Sequence, residues 1–96
     1  MSAPIHAVRS TLVMARKPMS KATPSRVKGA PIITRGYAVT SYDDEVRVSW
    51  NPGMGDRSPE ATDLALIEAE RLLRLNPVLV VRHDDTFNRL VVTRAA

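Results

Sequence analysis

A small α+β domain is the fold class this sequence predicts. We expect an antiparallel sheet in the order strand, strand, helix, strand, strand (ββαββ), one helix packed on one face, and a basic, extended N-terminal arm. Three observations lead there. Residues 58–77 carry the start, the 3.6-residue period and the stop of an amphipathic helix. Residues 37–50 alternate apolar and polar side chains around Asp43-Asp44, as a hairpin does. The first 42 residues contain no Asp or Glu, whereas ten acids follow from Asp43 onward. The chain of 96 residues therefore divides into a flexible basic arm, residues 1–30, and a domain, residues 31–96.

The arm holds Pro4, Pro18 and Pro24 among Ser, Thr, Lys and Arg, too little apolar surface to offset the entropy of ordering it. Residues 7–17 lack proline and could wind about three turns, with Val8, Leu12 and Ala15 on one side, but a helix that short is marginal without tertiary support. Ile32 and Ile33, after Pro31, suit a short edge strand.

In the first hairpin, a two-residue turn at Asp43-Asp44 pairs Tyr42 with Glu45, Val39 with Val48 and Tyr37 with Trp50. That register puts Tyr37, Val39, Val46, Val48 and Trp50 on one face and Thr40, Tyr42, Glu45 and Arg47 on the other.

Ser58 is a good N-cap for the following helix, Pro59 suits its first position, Glu60 and Asp63 oppose the positive end of its dipole, and Asn76-Pro77 stops it. Ala61, Leu64, Ala65, Leu66, Ala69, Leu72, Leu73 and Leu75 form the expected core arc. Glu68 falls inside that arc and is expected to reach Arg71. Ile67 falls on the charged side, as a lone exposed apolar residue or, in the sharper reading, a partner contact.

Residues 78–83 and 89–94 read as a second hairpin. Val78, Leu79, Val80 and Val81 run consecutively and Leu90, Val91 and Val92 answer them, a pattern of strands buried on both faces. One helix covers one face only, so we expect the arm or a second copy of the chain to cover the other. With residues 84–87 as the loop, Arg82 would stand opposite Arg89, a like-charge pair calling for an anion. A loop one residue shorter would put Asn88 there instead.

No cysteine is present, which removes disulfides and thiolate metal sites. No apolar run approaches the roughly 18 residues of a membrane span, and no secretory signal is evident, so we expect a cytoplasmic protein with no membrane partner. Gly53-Met54-Gly55 beside Arg57 lacks the Lys-Ser or Lys-Thr of a phosphate loop and reads as a connector. His83-Asp84-Asp85 reads as a solvated turn. We assign no catalytic residue, no metal and no cofactor.

The formal charge of +4 conceals seven cations before Asp43, namely Arg9, Arg16, Lys17, Lys21, Arg26, Lys28 and Arg35, and a balance of −3 after it. Such an arm releases counterions from phosphates, so the expected function is a non-enzymatic binding module for RNA, DNA or a nucleoprotein complex, with Tyr42, Arg82 and Arg89 as a recognition surface. The alternative is a protein-interaction or assembly subunit, a compact inhibitor or a virion-type component, whose arm orders on neighbouring proteins and which could form a homodimer.

Overall fold

The computed structural model describes residues 3–23 and 32–95. In chain order the elements are α1 (Ile5–Met14), β1 (Ala22–Thr23), β2 (Ile32–Ile33), β3 (Gly36–Tyr42), β4 (Glu45–Asn51), α2 (Pro59–Arg74), β5 (Leu79–Asp84) and β6 (Arg89–Arg94). Strands β3 to β6 form a four-stranded antiparallel sheet in the order β3-β4-β6-β5, and β1 and β2 make a separate antiparallel pair. The fold is thus a small α+β domain with two helices.

The first hairpin has the expected register, Tyr42 opposite Glu45 and Tyr37 opposite Trp50. Asp43 takes the left-handed conformation the tight turn demands, φ 53°. Ser58 caps α2, its hydroxyl accepting from the Ala61 amide at 3.2 Å, with proline in the first turn. The Asp56 carboxylate accepts from the Ser58 amide at 2.9 Å, and that bond holds its pKa below the ordinary value.

The register aligns Tyr37, Val39, Val46, Val48, Leu79, Val81, Leu90 and Val92 on one sheet face, all of them buried. From α2 come Leu66, Ala69 and Leu73, a narrower stripe than the sequence arc, since Leu64 and Leu75 are exposed. The rest of the covering layer comes from α1, whose Val8 and Leu12 are fully buried in the same cluster. The expectation of one helix behind an extended arm is therefore corrected over the described residues. Residues 5–14 are helical because Val8 and Leu12, four apart on one helix face, find the tertiary support a short helix needs. The proposed boundary at residues 30 and 31 lies outside the described residues.

Three contacts pin this segment. Lys17 Nζ meets Glu68 Oε2 at 2.7 Å, so Glu68 pairs with Lys17 and not, as expected, with Arg71. Hydrogen bonding from Lys17, reinforced by its charge, holds the Glu68 pKa below its ordinary value. Beyond it, the Tyr37 amide donates to the Pro18 carbonyl and the Ser20 amide to the Tyr37 carbonyl, both at 2.9 Å, laying residues 18–20 parallel along the outer edge of β3.

The second hairpin departs from both expected registers. Asp84 stands opposite Arg89 and Arg82 opposite Val91, leaving residues 85–88 as the turn, with Asn88 left-handed at φ 48°. The like-charge pair of Arg82 and Arg89 does not form.

Candidate functional site

Both helices lie on the buried face, so the opposite sheet face carries no helix among the described residues. Period-two alternation assigns to it Thr40 and Tyr42 on β3, Glu45 and Arg47 on β4, Arg89 and Val91 on β6, and Val80 and Arg82 on β5. One row crosses all four strands in register, Thr40, Arg47, Val91 and Arg82. Val91 is only 2 % exposed there, between two arginines whose aliphatic stems can cover it.

The hairpin tips point to opposite ends of the sheet and share a local arrangement. At the first, the Arg47 guanidinium lies 4.1 Å from the Tyr42 ring centre, and its Nε donates to Glu45 Oε2 at 3.1 Å. At the second, the Arg89 guanidinium lies 4.5 Å from the Phe87 ring centre, and its Nε donates to Asp84 Oδ2 at 3.1 Å. Tyr42 and Phe87 remain 57 % and 67 % exposed. Arg82, which ends the row on the edge strand β5, is exposed and has no partner among the described residues. The face therefore offers flat aromatic and guanidinium surfaces at its ends, with three guanidinium groups against two carboxylates.

Tyr42, Arg82 and Arg89 fall on one sheet face, but Arg89 stands opposite Asp84 and Arg82 opposite Val91, so the like-charge pair from which a recognition surface was expected is absent. Arg47, Val91 and Phe87 were missed. The first two follow once the register is known, and Phe87 stands in a turn, two residues before an arginine.

The cations of the N-terminal segment divide between two places. Lys17 and Arg35 line a cleft of about 420 Å³ beside α2, with Arg35 5.4 Å from the Trp50 ring centre. There Trp50 meets Tyr37 edge-on at 4.8 Å, and Tyr37 donates to the Ala65 carbonyl; burial, then the Glu68 charge, pushes the Tyr37 pKa up to about 12. Arg9 and Lys21 line a separate groove along β3, Arg9 donating to the Val39 carbonyl at 3.3 Å. Arg16 is exposed at the end of α1. Arg26 and Lys28 lie outside the described residues.

Ile67 is half exposed on α2 and lines a smaller pocket with Asp63, Glu70 and His83. His83 Nδ1 approaches Asp85 Oδ1 at 2.6 Å and Nε2 approaches Asn88 Oδ1 at 2.9 Å, so both ring nitrogens face acceptors. Asn88, then Asp85, raises the His83 pKa. Among the described residues no group of three or more His, Asp or Glu could hold a metal ion. The Gly53 and Gly55 amides are taken by Asn51 Oδ1 and the Pro52 carbonyl, so neither is presented to an anion. No described helix is long and apolar enough to cross a membrane. Comparison with known proteins supplies no relative: no family model, no curated protein and no solved structure matches this chain.

Proposed function

We propose that this protein is a non-enzymatic binding module for single-stranded nucleic acid, free or within a nucleoprotein complex, acting in the cytoplasm. The contact surface is the open sheet face, and the N-terminal segment adds cations through Arg16 and through Arg26 and Lys28. The observation that supports this reading most is the pairing of each exposed ring, Tyr42 and Phe87, with an arginine on a face that also carries the unpartnered Arg82. Bases stack on such rings and guanidinium planes, while cations neutralise the phosphates between them.

A fluorescence-anisotropy titration with single-stranded and duplex oligonucleotides across a salt range tests it. We expect preference for single strands, a loss of about 0.7 logarithmic units in affinity per phosphate contact for each tenfold rise in salt, and a loss of about 1 to 3 kcal/mol per stacked base in Tyr42→Ala or Phe87→Ala. Absence of binding to any oligonucleotide at low salt would sink the proposal.

A second reading, an assembly subunit, has one specific observation in its favour. Val78 and Val80 are about half exposed on the same side of the sheet, beside the buried Val91. A homodimer or partner contact there would bury them. Light scattering on the wild type and on Val80→Lys separates this from the first reading, because oligomerisation abolished by the lysine without loss of oligonucleotide binding assigns the valines to assembly.

A further inference from the structure

Both edges of the sheet are blunted in the same way. Arg74 donates to the Val81 carbonyl at 3.1 Å on β5, and Arg9 donates to the Val39 carbonyl at 3.3 Å on β3. The two edges differ in what lies beside them. Along β5 runs α2. Along β3 lies a groove of about 680 Å³ whose lining includes Arg9, Val13, Met19, Lys21, Val39 and Thr40 and no carboxylate.

The chain itself already uses this edge once. Tyr37 turns its amide and carbonyl outward to residues 18–20, and strand alternation turns the amides and carbonyls of Val39 and Ser41 the same way. Residues 18–20 stop short of them, because the chain then leaves to pair with Thr34 through Lys21. Among the described residues nothing takes the Val39 amide, or the Ser41 amide and carbonyl, and the Val39 carbonyl is held only by the exposed Arg9.

We propose that this groove receives an extended acidic segment of a partner protein, which adds to β3 as a further strand in line with residues 18–20. The segment's own amide replaces Arg9 at the Val39 carbonyl. The released guanidinium then takes an Asp or Glu of the segment, a charge-assisted pair stronger than its bond to a neutral carbonyl. Lys21 supplies a second positive group, and Val13 and Met19 offer apolar contact to one alternate side chain. Main-chain bonds give the affinity and the two cations give the preference for acid.

The test uses the full chain and two labelled heptapeptides, one alternating valine and glutamate, the other valine and lysine. Heteronuclear NMR should show the Val39 and Ser41 amides shifting with the glutamate peptide and not with the lysine peptide. Arg9→Glu should abolish the preference between them. Ser41→Pro removes an outward amide that the β4 ladder does not use, on an edge strand that tolerates proline, and should weaken the glutamate peptide up to about tenfold. Shifts that spare Val39 and Ser41 in the wild type overturn the proposal whether or not the proline variant folds. Equal affinity in a folded Ser41→Pro shows attraction by charge alone and also overturns it. Shifts of the same amides on raising protein concentration without peptide would assign the edge to a second copy instead.

Discussion

Arg16 ends α1 in the left-handed conformation, φ 58°, with its amide donating to the Val13 carbonyl at 2.9 Å and the Lys17 amide to the Leu12 carbonyl at 3.0 Å. Those two bonds are the Schellman pattern that usually places glycine where Arg16 stands, because a side chain there crowds the following carbonyl at a cost of about 1 kcal/mol. Arg16→Gly should therefore stabilise the protein by about 0.5 to 1 kcal/mol, read as a rise of a few degrees in Tm, whereas Arg16→Ala should not. Equal effects would mean that the guanidinium, not the backbone, sets the change. At His83 the same scale predicts a pH effect. Its folded pKa is raised by Asn88 first and Asp85 next, so the protonated ring is favoured in the fold. The sign follows: the contribution is full below the unfolded imidazole value of about 6.5 and is lost as pH rises through the higher folded value. The ring is more than one-third exposed, which keeps the effect small. Asn88→Gly removes the acceptor while suiting the left-handed backbone. An NMR titration should show the His83 midpoint above the ordinary value in the wild type and lower in the variant, and an unchanged midpoint would assign the shift to the carboxylates of Asp85 and Glu70.

Between elements, Gly36 decides whether residues 18–20 can lie along β3. Its φ is 150°, and a Cβ there would come within 2.6 Å of the Met19 carbonyl carbon and the Ser20 amide nitrogen, both backbone atoms with no rotamer to yield. Gly36→Ala should break the two bonds joining Tyr37 to Pro18 and Ser20 and cost about 2 kcal/mol or more. Hydrogen exchange should show lost protection at the Ser20 and Tyr37 amides while the β5–β6 ladder keeps its own; unchanged protection would show that the strand edge can shift to accept the methyl. The two hairpins also show what pattern can report. In β3 and β4 the alternation of Val39 with Thr40 and Val46 with Arg47 specifies the register by pattern alone, since a one-residue slip would turn valines to solvent. In β5 and β6 the uninterrupted valines and leucines accept any register equally well. What selects the observed one is the Asp84–Arg89 ion pair and the left-handed Asn88, and neither is marked by periodicity.

At the scale of the whole molecule, the charge asymmetry was legible and its meaning was only partly so. Absence of acids before residue 43 does not reveal that Lys17 meets Glu68, 51 positions further along the chain, or that Val8 and Leu12 complete the core. Both depend on contacts distant in sequence, which local propensity does not encode. The consecutive apolar runs of β5 and β6 called for a second covering layer, but the N-terminal segment does not supply it over the described residues: α1 joins α2 on the same face, and Val78 and Val80 stay about half exposed on the other. The position of α1 has a direct consequence for truncation. A flexible arm of residues 1–30 would be removable without unfolding the domain, yet deleting even residues 1–16 would strip Val8 and Leu12 from a cluster that includes Val39, Val46 and Leu66. Leu12→Ala alone should cost about 2 to 5 kcal/mol, a large share of the stability of a domain this small. The deletion should therefore abolish the cooperative thermal transition seen by circular dichroism, and supplying residues 1–17 as a separate peptide should restore part of it. A truncated chain that still melts cooperatively, within a few degrees of the full one, would show that the sheet and α2 form a sufficient core. In that case α1 is a detachable cover whose cations are free to leave with it.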